Sequence, residues 1–438
     1  MNLFWNKLFG NLASTAKYEA NEKKLLEAMH RYDEVGKSVE LEEYKSLFRV
    51  VKSSKFQENK KTLQNRKYKD TKEYRHTKKL QKLEASTDIK HYFHVLNSNV
   101  LKQYLAFKST PEFGQLRDKK KTAASKTLQQ LKSFEKSKGY KCYVRFHNSY
   151  IIKELEELRT KTATPEFIKS NKFWEDNRRW YSTPEYAQEQ RYFQLAKNQD
   201  IVFYESQNPD AFKRLRTLKQ TFCQEFEGNT MDKSWTFGFH YKSPELIGQH
   251  SFANEKQAYN KGKNTIVEDG ILKVYTKNEN TTARAWDLKK GFIEKQFNYT
   301  SDVLQTADSF RQKEGIFSIK VRCTGKIHHA CRLGADEKLP LVNIFHYNGK
   351  QITMGNVNKN VVDGVTIKGI SPSDFYIYTL AWTKKELTWS INNMVVYRTK
   401  NQVPQQDMYL ALNSFISEKQ KGSTGTLEID WIKVYQQS

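Results

Sequence analysis

The spacing of hydrophobic residues in this 438-residue chain changes near residue 220. Before that point glycine is rare and aromatic residues recur every three or four positions, which is typical of amphipathic helices. After it, apolar residues alternate within segments that Gly- or Asn-containing turns separate, such as "GIFSIKVRC", "YIYTLAW" and "TLEIDWIKVYQ". The sequence therefore predicts an α-helical repeat region over 1–220 and an antiparallel β-sandwich over 221–438, with a protease-sensitive junction at about 218–224.

The helical region contains a weak internal repeat. The segment from Ser53 matches the segment from Thr164, and a partial copy begins at Ser109. The paired positions are Phe56 with Phe167, Tyr74 with Tyr186, and Asp88-Ile89 with Asp200-Ile201. Each unit carries Ser or Thr before Pro-Glu or an acid, a pattern that caps helix N-termini. Such units stack into arrays, and arrays mostly bind protein partners or act as spacers.

Positive charge is concentrated in the same region. The formal net charge is +25, and residues 1–220 hold 46 Lys and Arg against 27 Asp and Glu. Such a charge is compatible with binding to nucleic acid, anionic lipid or an acidic protein. Alternatively, it only keeps the surfaces of the helices hydrated. Because the charges are scattered over all predicted helix faces, we expect only weak, nonspecific association with nucleic acid that vanishes near physiological salt.

The cysteines and the N-terminus bear on the compartment. Cys142, Cys223, Cys323 and Cys331 show neither metal-ligand spacing nor a disulfide framework, which suits a reducing compartment. The sequence contains no recognisable signal peptide and no apolar run long enough for a membrane span, so we expect a cytoplasmic protein or one incorporated into a particle made there. The opening segment forms a predicted amphipathic stripe that packs on the next helix or meets a partner or lipid surface. Its apolar residues are Leu3, Phe4, Trp5, Leu8, Phe9 and Leu12.

The second half resembles glycoside hydrolase family 16. The resemblance rests on "TFCQEFEGNTMDKSW", "DGILKVYT", "NYTSDVLQTADSFRQKEGIFSIKVRC", "FYIYTLAWTKKELTWSINNMVVYR" and "GTLEIDWIKVYQ", which follow the family's order. It implies a concanavalin A-like jelly roll over residues 221–438, whereas the helical half resembles no family that we recognise. It also implies a catalytic strand of the pattern Glu-x-Asp-x-(x)-Glu, in which the first Glu is the nucleophile and the last is the acid/base.

That strand has no acid in this sequence. The resemblance places Leu341 at the nucleophile, Asn343 at the helper position and His346 at the acid/base within "LVNIFHYNG". Leucine cannot form a glycosyl ester, so the retaining mechanism has no first step. Asp336 and Glu337 precede the strand in a predicted loop and are weak substitutes. The sequence therefore predicts a non-catalytic sandwich.

Other positions of the expected cleft also depart from the family. Where the family carries Trp-Pro-x-x-Trp, "KIHHACRLG" places His328, His329 and Arg332. Adjacent strand residues point to opposite faces, so the two histidines do not share a metal ion. Trp286 is a candidate sugar platform, and the candidate ligand-binding residues are Trp286, Arg332, Asn343 and His346. No metal or other cofactor is predicted, and Asp430, which matches a calcium-associated position, stays unassigned.

Two non-enzymatic functions remain open. A third hypothesis is that the chain is an active hydrolase with unusual residues. In the first, the chain is a structural subunit of a larger homo- or hetero-oligomeric assembly, such as a phage particle or secretion apparatus, and binds protein partners through its helices. In the second, the sandwich is a lectin-like module that binds a glycan in its degenerate cleft and is tethered by the helices. The missing signal peptide favours the first.

Overall fold

The computed structural model describes residues 1–241, 250–336, 339–358 and 361–437. Within them the chain forms two compact units. Unit 1 comprises Met1–Asp33 together with the chain from Gln207 onward, and unit 2 comprises Glu34–Ser206. The expected division at 220/221 differs from this one, because the first 33 residues belong with the sandwich rather than with the helical repeats.

Unit 2 is helical. Its helices are α3 (Val39–Val51), α4 (Ser54–Asn65), α5 (Lys72–Ala85), α6 (Thr87–Leu96), α7 (Asn99–Lys108), α8 (Lys119–Ala124), α9 (Lys126–Lys136), α10 (Lys138–Phe146), α11 (Tyr150–Thr162), α12 (Pro165–Glu175), α13 (Pro184–Leu195) and α14 (Gln199–Ser206). Short 3₁₀ helices occur at Tyr68–Asp70, Pro111–Arg117 and Arg179–Ser182. Buried aromatic and aliphatic side chains form separate small clusters between neighbouring helices, for example around Tyr92 and Phe146.

The internal repeat corresponds to repeated structure. The first copy folds as α4, a 3₁₀ helix, α5 and α6, and the second folds as α12, a 3₁₀ helix, α13 and α14. Ser53 and Thr164 cap the N-termini of α4 and α12, and their hydroxyls accept hydrogen bonds from the backbone N–H groups of Phe56 (3.2 Å) and Phe167 (3.3 Å). The spacing of cap and aromatic residue in the sequence thus marks where each helix begins.

Unit 1 contains α1 (Phe4–Leu8), the residues of α2 (Thr15–Val35) up to Asp33, and α15 (Lys213–Arg216), with a 3₁₀ helix at Pro209–Phe212. Its strands are β1 (Leu218–Gln224), β2 (Thr236–Phe237), β3 (Ser251–Phe252), β4 (Gln257–Tyr259), β5 (Thr265–Glu268), β6 (Ile271–Asp287), β7 (Gly291–Ser301), β8 (Val303–Gln305), β9 (Gly315–Thr324), β10 (His328–Gly334), β11 (Leu341–Asn348), β12 (Ile352–Asn358), β13 (Val361–Ile367), β14 (Tyr376–Trp382), β15 (Leu387–Ile391), β16 (Met394–Thr399), β17 (Tyr409–Phe415) and β18 (Gly425–Gln437).

The strands form a jelly-roll sandwich of two sheets. The first has the order β16-β15-β14-β9-β18-β6-β7-β4, with β1 beside β18 and with β3 and β5 beside β6. The second has the order β13-β12-β11-β10-β17-β8-β2. Buried residues from both sheets, such as Phe317 and Ile319 of β9 and Ile344 and Phe345 of β11, form one hydrophobic core between them. The other face of the second sheet is open, and it carries the candidate site.

The N-terminal segment belongs to this core. Leu3 and Leu12 are buried among the sandwich residues, and the Leu3 N–H donates to the carbonyl of Lys368 after β13 (2.7 Å). Phe4, Trp5, Leu8 and Phe9 lie between these two anchors and are exposed. The predicted packing of the whole stripe on the next helix was wrong, because two of its six apolar residues insert into the sandwich and the other four face solvent.

Candidate functional site

Strand β11 presents its site positions on the open face of the second sheet. Leu341, Asn343 and His346 are all partly exposed, whereas Val342 and Phe345 are buried in the core. Simple alternation would put His346 on the core side. The register with β12 shifts between Asn343 and His346, and this bulge turns the third side chain onto the same face as the first two.

A cleft lies over this face beside the β6–β7 hairpin. It has a cavity volume of about 790 Å³. Trp286, Arg332 and Leu341 of the sequence-predicted positions line it, while Asn343 and His346 are not among the lining residues. The other aromatic lining residues are Phe239, Tyr241, Phe252, Phe292 and Tyr409, and the polar lining residues include His240, Asp336 and Asn413. Aromatic walls with a few polar groups are typical of sites for small organic ligands.

His346 belongs to a stacked histidine pair next to the cleft. Its Nε2 lies 3.0 Å from Nδ1 of His328, and the His328 ring stacks on Phe415 with centroids 4.3 Å apart. The other ring nitrogen of His346 lies 3.2 Å from the Thr353 hydroxyl. Burial lowers the pKa of His346 to about 3 and that of His328 to about 4. Both rings are therefore neutral at pH 7, and His346 has no proton of suitable acidity for a leaving group.

The adjacent histidine points the other way, as the sequence predicts. His329 is buried, with Nδ1 2.8 Å from the Ser414 hydroxyl and Nε2 donating to the Thr324 carbonyl (2.8 Å). Burial lowers its pKa to about 4. The two histidines do not converge on one point, and both already bind protein groups.

Arg332 lies on β10 at the floor of the cleft. Asn343 and Ala411 are its neighbours across the two adjacent strands. One terminal N–H donates to Oδ1 of Asn413 (2.7 Å), whereas the buried Nε has no hydrogen-bond partner among the described residues. Asn343 is held through its backbone, since its carbonyl accepts from the Trp389 indole N–H (2.9 Å).

A buried carboxyl group lies near Arg332. Glu255 accepts hydrogen bonds from the Gln257 amide (2.6 Å) and the Tyr259 hydroxyl (3.3 Å). Burial raises its pKa to about 7, although these two hydrogen bonds and the charge of Arg332 favour the ionised form. Glu255 was not predicted from the sequence, because it follows a loop about 80 residues before Arg332 and no local pattern marks it.

Asp336, one of the two acids that precede β11 in the sequence, is held in an ion pair. Asp336 lies 2.5 Å from the Arg311 guanidinium and 3.3 Å from Nε2 of His240. Arg311 lowers the pKa of Asp336, so this carboxylate stays ionised and cannot act as a general acid near neutral pH. Arg311 and His240 were not predicted, since they lie about 25 and 100 residues away in the sequence. Glu337 lies outside the described residues.

On the back of the sandwich, Asp430 contacts a lysine. Its Oδ2 lies 2.9 Å from Nζ of Lys320, which is also 3.0 Å from the carboxylate of Glu19 in α2. One ammonium group therefore pairs with both carboxylates. Within the described parts of the chain, no three His, Cys, Asp or Glu side chains are grouped as metal ligands, and no helix is long and apolar enough to cross a membrane.

One family model matches part of the sandwich. The family model "Glycosyl hydrolases family 16" matches residues 335–433, and the C-terminal half resembles that family. No curated protein matches the chain.

Similar solved structures include the catalytic domain of an endo-1,3-β-glucanase (laminarinase) from Thermotoga petrophila RKU-1. Its sequence identity to this chain is 19%, the match covers 50% of this chain and 98% of that chain, and the TM-score is 0.41. An endo-β-1,3-glucanase from Pyrococcus furiosus has 16% identity, coverages of 50% and 95%, and a TM-score of 0.41. A laminarinase from Flavobacterium sp. UMI-01 has 21% identity, coverages of 50% and 100%, and a TM-score of 0.40.

Proposed function

We propose that the chain is a non-catalytic binding protein whose sandwich cleft holds a carbohydrate without cleaving it. The observation that carries this proposal is the open face of β11, which presents Leu341, Asn343 and His346 beside a cleft lined by aromatic and polar side chains. Retaining glycoside hydrolysis needs two carboxyl groups about 5 Å apart, one as nucleophile and one as acid/base. Leu341 cannot be the nucleophile, and the low pKa of His346 makes it a poor proton donor.

The lining of the cleft supports the binding part of the proposal. Trp286 and Phe292 stand on the two strands of one hairpin, with ring centroids 4.8 Å apart. Aromatic faces stack on the apolar faces of sugar rings, and the amide and guanidinium groups of Asn413 and Arg332 can bind hydroxyl or charged substituents. Strand β11 carries no catalytic carboxyl group, whereas these aromatic and polar groups line the cleft.

Binding and cleavage can be tested separately. We expect oligosaccharide binding by calorimetry to weaken by at least about tenfold in Trp286→Ala, because a stacking surface is lost. Trp5→Ala is the matched control, since Trp5 is 58% exposed and is not among the lining residues of the cleft. We expect no release of reducing ends from β-glucans, agarose, carrageenan or xyloglucan. Release that Asp336→Asn or His346→Ala abolishes would show a hydrolase instead.

A second function, protein binding within a larger assembly, is favoured by the surface of unit 2. Large apolar side chains remain exposed along its helices, including Val39 (76%), Val144 (61%) and Tyr150 (74%). We propose that unit 2 contributes such contacts, in a phage particle or secretion apparatus for example. Light scattering after size-exclusion chromatography tests whether the chain forms oligomers with itself. A monomer would restrict this function to contacts with other proteins.

A further inference from the structure

The positive charge of Arg332 lacks a close counter-ion in the cleft. In the parts of the chain that the structure describes, its guanidinium forms no ion pair with a carboxylate. Its hydrogen bond to Asn413 is a bond to a neutral amide, and Nε is buried without a partner. A charged group that is removed from water is costly unless an opposite charge or several hydrogen bonds compensate it.

The acids around the cleft are already engaged. Asp336 pairs with Arg311. Asp287 accepts hydrogen bonds from the backbone N–H groups of Lys289 (2.9 Å) and Lys290 (3.0 Å) in the β6–β7 turn. Glu255 hydrogen-bonds with Gln257 and Tyr259 and, with its pKa near 7, carries only part of a charge at neutral pH. None of these acids therefore forms a direct ion pair with the guanidinium, and its Nε donor stays free, although the charge of Glu255 acts on Arg332 from nearby.

We infer that the cleft binds an acidic carbohydrate, whose carboxylate or sulfate group pairs with the guanidinium of Arg332. This inference rests on the proposed carbohydrate-binding function. A planar guanidinium can donate two parallel hydrogen bonds to either kind of oxyanion. Lys289, at the exposed turn of the hairpin that carries Trp286, supplies a second positive charge at the rim of the same cleft. Aromatic stacking then favours ligands that contain a sugar ring, and Arg332 favours those that also carry a negative charge.

The test measures the affinity of the full chain for three oligosaccharides of equal length: a polyuronate fragment, a sulfated galactan fragment and a neutral β-glucan fragment. We expect at least one anionic fragment to bind about tenfold or more tightly than the neutral one. Comparing the uronate with the sulfate shows which oxyanion the cleft prefers. Arg332→Gln should weaken binding of the anionic fragments by about tenfold or more and so remove the preference, whereas binding of the neutral fragment should fall by a smaller factor.

Two further variants keep the result interpretable. Arg322→Gln removes the same charge from β9 in the other sheet, where Arg322 pairs with Glu428 (2.6 Å), and should leave the preference intact. Arg332→Lys keeps the charge but loses the paired donors, so it should lower the preference even if Arg332→Gln does not fold. Equal binding of all three fragments, or a preference that survives both Arg332 substitutions, overturns the inference and leaves carbohydrate binding in place. Binding of none of the three overturns the proposed function as well.

Discussion

The charge state of Glu255 affects both the cleft and the stability of unit 1. Its folded-state pKa of about 7 lies above the ordinary value of 4.5. The folded protein therefore binds more protons than the unfolded chain between these two values. The resulting stabilisation is fully present below pH 4.5 and is lost as pH rises through 7.

Glu255→Gln keeps one acceptor oxygen for Gln257 and Tyr259 but cannot ionise. When the pH is raised from 5 to 8, the free energy of unfolding of the variant should increase by about 2 kcal/mol relative to that of the wild type. This value allows for the partial solvent exposure of the side chain. Denaturant unfolding at the two pH values measures this difference. Glu418→Gln, at an exposed position, is the control and should show no such change. If the difference in unfolding free energy between Glu255→Gln and wild type does not vary with pH, the raised pKa of Glu255 is contradicted.

At the residue scale, the family resemblance indicated the three site positions on β11, but the sequence did not reveal the chemistry around them. The alternation of apolar and polar residues, with one bulge, places Leu341, Asn343 and His346 together. Arg332 and Trp286, two of the predicted ligand-binding residues, line the cleft, and their binding role stays a prediction. The contacts between Asp336 and Arg311 and between Arg332 and Asn413 join distant parts of the chain. No local periodicity encodes such pairs, so they required the folded structure.

At the scale of single elements, helix capping organises unit 2. The Thr71 hydroxyl accepts from the Tyr74 N–H at the start of α5 (3.2 Å) and donates to the Tyr68 carbonyl (2.6 Å). Thr183 makes the equivalent bonds at the start of α13, with Tyr186 and Trp180. Each hydroxyl therefore joins a helix to the 3₁₀ turn before it, at equivalent places in the two copies of the repeat.

Thr71→Ala should destabilise unit 2 by about 1 kcal/mol, or somewhat more because this side chain is buried and two backbone groups lose a partner. Thr71→Ser keeps the hydroxyl and should recover most of the loss. Thermal unfolding followed by far-ultraviolet circular dichroism measures the effect on the helical signal. If alanine and serine behave alike, packing of the Thr71 methyl group, rather than capping, stabilises this junction.

These caps explain why helices were easier to predict than their grouping. A Ser or Thr three residues before an aromatic is a local signal, and it locates the starts of α4, α5, α12 and α13. The small hydrophobic clusters of unit 2 join helices that are far apart in sequence, such as the pairing of Tyr44 in α3 with Tyr192 in α13 (5.6 Å between stacked rings). The repeat pattern predicted stacking but not which helices would be neighbours.

At the scale of the whole molecule, unit 2 is an insertion between two parts of unit 1. The chain leaves unit 1 after Asp33 and returns at Gln207. The Tyr32 and Phe212 rings are 5.5 Å apart, and Asp33 forms an ion pair with Arg216. The chain segments that lead into and out of the insertion therefore lie side by side. The sequence alone suggested a single change of structure near residue 220, because hydrophobic spacing does not reveal where Leu3 and Leu12 pack.

A chain in which a short Gly/Ser linker replaces residues 34–206 should fold, unfold cooperatively and keep the ligand affinity of the full chain. A fragment of residues 221–438 should be several kcal/mol less stable, because it lacks Leu3 and Leu12, two buried leucines of the core, and part of β1. Denaturant unfolding compares the two. Equal stability of the fragment and the linked chain would show that the N-terminal segment contributes little to the sandwich.

The paired entry and exit of the inserted unit also determine how the molecule bears mechanical load. Tension applied between the N-terminal segment and β18 is carried by the contacts of Leu3, Leu12 and α2 with the sandwich. The backbone through residues 34–206 forms a closed side loop on that path, so it carries no force while those contacts hold. Unit 2 is thus shielded from stretching until the N-terminal segment detaches, and the rate of that detachment sets how long the shielding lasts.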